Sequence, residues 1–193
     1  MRVAALSLLA AALSAQATPA TTPDDREVVR AVLAQVIRPQ VDTLLARPDG
    51  WRGSPMVVYL EQTIPTCPNT SGPWGECVDE GALVSGVSRG WWSHDLSIAF
   101  AERNGQSVVA PALTSTNVLS ARYDATEGRR PPDQFPRAAG WLSVSLPAYS
   151  GPGLAIIYVD FECGAMCCSQ WFIVLERAAE GWRVKEKYQT VIC

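Results

Sequence analysis

Apolar residues first recur at helical spacing along Val28, Val29, Val32, Leu33, Val36 and Ile37, which share one side of a 3.6-residue helix. Thr22 supplies an N-cap, Pro23 sits at the first helical position, and Asp24 and Asp25 place negative charge in the first turn. Pro39 has no N–H to donate and crowds the carbonyl one turn back, so a kink is expected there. Val41, Leu44 and Leu45 carry the stripe onward to Arg47-Pro48. A second helix is predicted over Ser93–Arg103, with Ser93 as cap, Leu96, Ala99 and Phe100 inward and Asn104-Gly105 as the stop.

Elsewhere the period is two. Met56–Ile64 is rich in β-branched and aromatic residues and predicts a strand. Weaker elements are expected near Val108-Val109 and over Val118–Tyr123, followed by a proline-rich connection over Glu127–Ala139. The last third reads as WLSVSLP, a turn over Tyr149–Gly153, LAIIYVDFE, a short loop, SQWFIVLER, a turn over Ala178–Gly181 and GWRVKEKYQTVIC. Setting Cys163 opposite Cys167 places Val159 against Trp171, Ile157 against Ile173 and Ala155 against Leu175. One face then becomes uniformly apolar. Setting Leu175 opposite Val184 brings Trp171 to Tyr188 and Cys168 close to Val191, a diagonal step from Cys193. The expected fold is α+β, with N-terminal helices packed on one face of a C-terminal antiparallel meander of about four strands, stapled by disulfides.

The N-terminus changes how the cysteines are read. Arg2, the apolar run Val3–Leu13 and the small-x-small signal Ala15-Gln16-Ala17 describe a cleavable export signal over residues 1–17. Residues 18–23 form a linker and 24–193 a single domain. No apolar run reaches membrane-spanning length. The expected location is periplasmic or secreted, where an even set of cysteines favours disulfides. The pairing read from position is Cys67–Cys77, Cys163–Cys167 and Cys168–Cys193; exchanging Cys167 and Cys168 is the alternative. Loss of Arg2 with the signal leaves 15 basic residues against 19 acidic, a net charge of −4, which attracts neither nucleic acid nor an anionic membrane.

The tail also carries a likeness. Gly140, Ser143, Ala155-Ile156-Ile157-Tyr158-Val159, Cys163-Gly164, Cys167, Leu175, Gly181-Trp182 and Val184 resemble the end of a group of uncharacterised bacterial secreted proteins and lipoproteins. Their pattern is G…S…AxVYV…CGxxCG…LxK…GxW. This chain has Cys168 where that group has glycine. The resemblance covers the second half of the chain. It implies an exported α+β domain and no particular activity.

Chemistry is sparse. Cys163, Cys167 and Cys168 sit beside Asp160 and Glu162, whose charge opposes thiolate formation, so structural disulfides are favoured over redox catalysis. His94 is the single histidine, so neither a zinc site nor a Ser-His-Asp triad has its usual parts. Gly86-Val87-Ser88-Arg89-Gly90 has the spelling of a nucleophile elbow without a strand leading into it. Asp160 and Glu162 share a strand face with Tyr158, at roughly the separation of a hydrolytic carboxylate pair. No catalytic residue, metal or cofactor is assigned on these signals. The favoured function is non-catalytic binding of a protein or glycan of the cell envelope. A thiol-based or carboxylate-pair enzyme is the alternative. Among seven tryptophans, Trp74, inside the clamped polar loop, and Trp91 and Trp92 are the candidate contact residues. Trp141, Trp171 and Trp182 sit at strand positions and read as core.

Overall fold

The computed structural model describes residues 21–46, 54–67, 77–122, 134–163 and 167–192. The expected export signal at 1–17, residues 18–20 of the expected linker, Trp74 and Cys193 lie outside these residues.

Helix α1 (Pro23–Val32) begins as its punctuation dictates. The Thr22 side chain accepts from the Asp25 N–H, and the Asp25 carboxylate accepts from the Thr22 N–H, completing a capping box. The kink expected at Pro39 takes a specific form. A π turn over Leu33–Ile37 precedes α2 (Arg38–Leu45), with the Arg38 N–H bonded back to the Leu33 carbonyl. One wide turn thus absorbs the proline's missing donor and its steric demand. The Gln35 side chain within it donates to the Trp182 carbonyl (3.1 Å) and accepts from the Val184 N–H (2.9 Å).

The α+β class expected from sequence holds, with two disulfides and mostly antiparallel strands. The sheet is larger than a four-stranded meander. In chain order its strands are β1 (Val57–Leu60), β4 (Val118–Ala121), β5 (Gly140–Val144), β6 (Ala148–Ser150), β7 (Leu154–Glu162), β8 (Cys168–Ala178) and β9 (Gly181–Ile192). They run β4-β1-β5-β7-β8-β9, with β6 also on β7. Strand β1 is parallel to both β4 and β5, which long helical connections permit. Two short strands, β2 (Thr66–Cys67) and β3 (Val78–Asp79), pair separately.

Helices cover both faces of the sheet, where one face was expected. Val28, Val29, Val32, Val36, Ile37 and Val41 pack on Ile157, Val159, Trp171, Ile173 and Leu175. On the opposite face, α3 (Glu80–Ser88) and α4 (His94–Arg103) bring Leu83, Leu96 and Phe100 against Ile156, Tyr158, Phe172 and Val174. The central strands are therefore apolar on both faces, so alternation alone could not tell one cover from two. Helix α3 was not expected; Gly81 and Gly86 lower its intrinsic propensity, yet Asp79 caps it by accepting from the Gly81 N–H.

The β7–β8 pairing is the predicted one: Val159↔Trp171, Ile157↔Ile173 and Ala155↔Leu175. Leu175↔Val184 also holds, and Gly181 closes that hairpin at φ 120°. Beyond it the expected Trp171–Tyr188 contact is replaced. The register shifts at Lys185, so Tyr188 faces Phe172, and again at Thr190, so Val191 faces Gln170. One extra residue moves Tyr188 to the opposite side of the sheet.

The two helical layers meet at Asp25. Its carboxylate is fully buried, pairs with Arg103 Nη2 of α4 at 2.7 Å and accepts from the Tyr149 hydroxyl of β6 at 2.7 Å. Burial and the bond to Asp25 both raise the Tyr149 pKa above its ordinary value. Arg103→Met would leave this carboxylate uncompensated. It should cost about 3–5 kcal/mol, read as a loss of chemical-denaturation stability. Adding Asp25→Asn to that variant should recover part of the loss, because no buried charge then remains.

Candidate functional site

The segment Arg89–Ser93 joins α3 to α4. Gly90 turns it at φ 71°, and the Trp91 N–H bonds back to the Gly86 carbonyl (2.9 Å). The sequence Gly86–Gly90 is thus the end of a helix and its turn, and has none of the geometry of a nucleophile elbow. The two tryptophans part company here. Trp92 is 6% exposed and lies across Gly86, where an added Cβ would come 1.9 Å from its ring. It packs on Phe172 (4.8 Å between centroids) and continues the core through Phe100 and Tyr158. Trp91 is half-buried. It stacks on Tyr188 at 4.7 Å with 17° between planes, and the Arg89 guanidinium lies 4.8 Å from its ring centroid.

The Tyr188 hydroxyl contacts the Trp91 carbonyl oxygen (3.0 Å) and the Glu186 carboxylate. Burial first, and then Glu186, push its pKa up to about 12, so the phenol is neutral at physiological pH. The exposed Arg89, His94 and Glu186 belong to the same segments as the stacked pair. Sequence reading selected Trp91 and missed Tyr188, whose place depends on the Lys185 bulge.

A second locus occupies the same sheet face nearer the end of β7. Asp160 is 5% exposed and lies opposite Ser143 on β5 and Gln170 on β8. Gln170 Nε2 donates to Asp160 Oδ2 (3.2 Å), and buried Oδ1 has no hydrogen-bond partner. Glu162, two residues on, accepts from Trp141 Nε1 (3.1 Å). Burial, and then the Glu162 charge, raise the Asp160 pKa to about 7. The predicted pair does share a face, but the more perturbed member is recessed.

The cysteines serve architecture. Cys67–Cys77 and Cys163–Cys167 are bonded, with Cα atoms 5.7 and 5.0 Å apart. The second spans the β7–β8 hairpin, where the Cys163 N–H also bonds the Cys167 carbonyl (2.7 Å). Cys168 is likewise disulfide-bonded; its expected partner, Cys193, lies outside the described residues. No described cysteine is a free thiol. Among the described residues there is no group of three or more His, Cys, Asp or Glu able to hold a metal, and no helix long and apolar enough to cross a membrane.

Comparisons of the chain with protein-family models, with curated proteins and with solved structures found no match.

The raised Asp160 pKa carries a definite sign. The folded state holds this proton more tightly than the unfolded state. Stability is therefore lost as pH rises from about 4 to about 7 and is level above that. Asp160→Asn keeps the shape and removes the charge. It should be more stable than the parent at pH 8, by about 4 kcal/mol at most, and should match the parent near pH 4. Calorimetric scans at both pH values check this.

Proposed function

We propose that this chain is an exported, disulfide-braced binding domain whose contact surface is the Trp91–Tyr188 stack, and that it takes a glycan of the cell envelope. The observation that carries this reading is the half-buried Trp91 held against Tyr188, with Arg89 over its ring and Glu186 on the phenol. An aromatic surface fixed in advance loses little side-chain entropy on contact. The C–H face of a sugar packs on such rings, while its hydroxyl groups meet the neighbouring charged and amide groups. Trp92 supports this surface from beneath and makes no contact of its own. Trp74 lies outside the described residues and adds nothing to the geometry.

An enzymatic reading is less well supported. A general acid must reach the proton acceptor of its substrate, and the Asp160 carboxyl is enclosed. A thiol mechanism would need a reduced cysteine where disulfides stand.

The test titrates soluble oligosaccharides released from the producer's envelope while following tryptophan fluorescence. Trp91→Ala should weaken binding about tenfold or more, as loss of a buried aromatic contact does, with the fold intact by circular dichroism. Binding that is equally strong in that variant would remove the proposal. So would capture of an envelope protein through this surface when no oligosaccharide binds.

A further inference from the structure

The locus at the end of β7 has a chemical character of its own. Asp160 and Glu162 point from the sheet face that also carries Tyr158, and Trp141 lies opposite Glu162 across the β5–β7 pair. Among the described residues neither carboxyl takes part in a salt bridge. Two acids thus stand together with no ion pair to either among the described residues.

We propose that Glu162, backed by Asp160 and oriented by the Trp141 indole N–H, binds an organic cation: a guanidinium or alkylammonium group of the kind an arginine or lysine side chain presents. This site is independent of the Trp91–Tyr188 surface and stands or falls without it.

Four observations converge on that ligand chemistry. Glu162 is half-buried and held in place by the Trp141 indole N–H, so it is an oriented acceptor that solvent still reaches. That single N–H uses one lone pair on Glu162 Oε2, and a carboxylate carries about four, so a fork of N–H donors such as guanidinium still fits it. Behind Glu162, Asp160 Oδ1 is buried with no donor, so negative charge there goes uncompensated until a cation approaches. The donor set is wrong for a hard metal ion: calcium takes six to eight oxygen ligands, and no described group of three or more acids, cysteines or histidines is present. Anionic ligands are repelled by the same charges.

The site also couples to pH in a predictable direction. The titratable groups facing Asp160 are Glu162 and Tyr158 on its own strand. Ser143 on β5 and Gln170 on β8 are its uncharged neighbours, and Thr190 of β9 hydrogen-bonds Tyr158. A cation on Glu162 favours ionised Asp160, so binding releases a proton, and affinity falls as pH drops below about 7.

The experiment titrates methylguanidinium chloride into the full mature protein. It follows the Trp141 indole and Gln170 side-chain amide signals by nitrogen-15 NMR, with sodium chloride and neutral methylurea as controls. Saturable shifts of both signals are expected, weaker at pH 6 than at pH 8 by up to about tenfold, with no saturation by either control. Glu162→Gln should abolish the response at Gln170. Asp160→Asn should weaken binding and flatten its pH dependence. The proposal is overturned by non-saturating shifts in the parent, by an equal response to methylurea, or by an unchanged titration in Glu162→Gln.

Discussion

One buried carboxylate joins the parts of this molecule that the sheet alone would leave separate. Asp25 closes the capping box of the first helix, neutralises Arg103 from the helix on the other side and anchors Tyr149. An ion pair of this kind is weak evidence for raw stability, because desolvation offsets most of the Coulombic gain. Its value is in position. Each partner comes from a different element, and any shift of one layer leaves a charge buried without its counterpart. The β6 strand between them is only three residues long, too short to fix the two layers by hydrogen bonding alone.

From Asp25 outward the layers are set by apolar packing. Asn104, at the end of the α4 helix, extends the tie: its amide donates to the Phe100 and Leu146 carbonyls and accepts from the Leu146 N–H. The segment before that helix is held on one side by Ser93 as the helix cap with Trp92 in the core, and on the other by the Trp91 N–H bonded to the Gly86 carbonyl. The rigidity of the Trp91–Tyr188 surface follows from this. Its floor belongs to the core, and its two rings come from a helix connection and an edge strand that the core positions together.

Much of the tail could be read from residues alone, because the Cys163–Cys167 closure of a short hairpin fixes the β7–β8 register. The exceptions share a cause. Arg183-Val184-Lys185-Glu186-Lys187-Tyr188 is polar enough on both sides that nothing in it marks where an extra residue is inserted. Gly86 reads as a helix breaker until the Trp92 ring is seen lying on it. The parallel neighbours of β1 are chosen by tertiary packing and leave no local trace. At the acid pair, parity correctly placed Asp160 and Glu162 on one face, whereas the burial that raises Asp160 is not a property parity reports.

The wide turn before Pro39 has a wider meaning for the sheet. Strand β9 is an edge, and an edge offers unsatisfied amides and carbonyls to any passing chain. Gln35 occupies the outward carbonyl and amide of Trp182 and Val184 with its own side-chain amide, imitating one rung of a further strand. A turn one residue tighter would rotate that glutamine away. The helical irregularity that accommodates a proline thus also covers one rung of the sheet's margin.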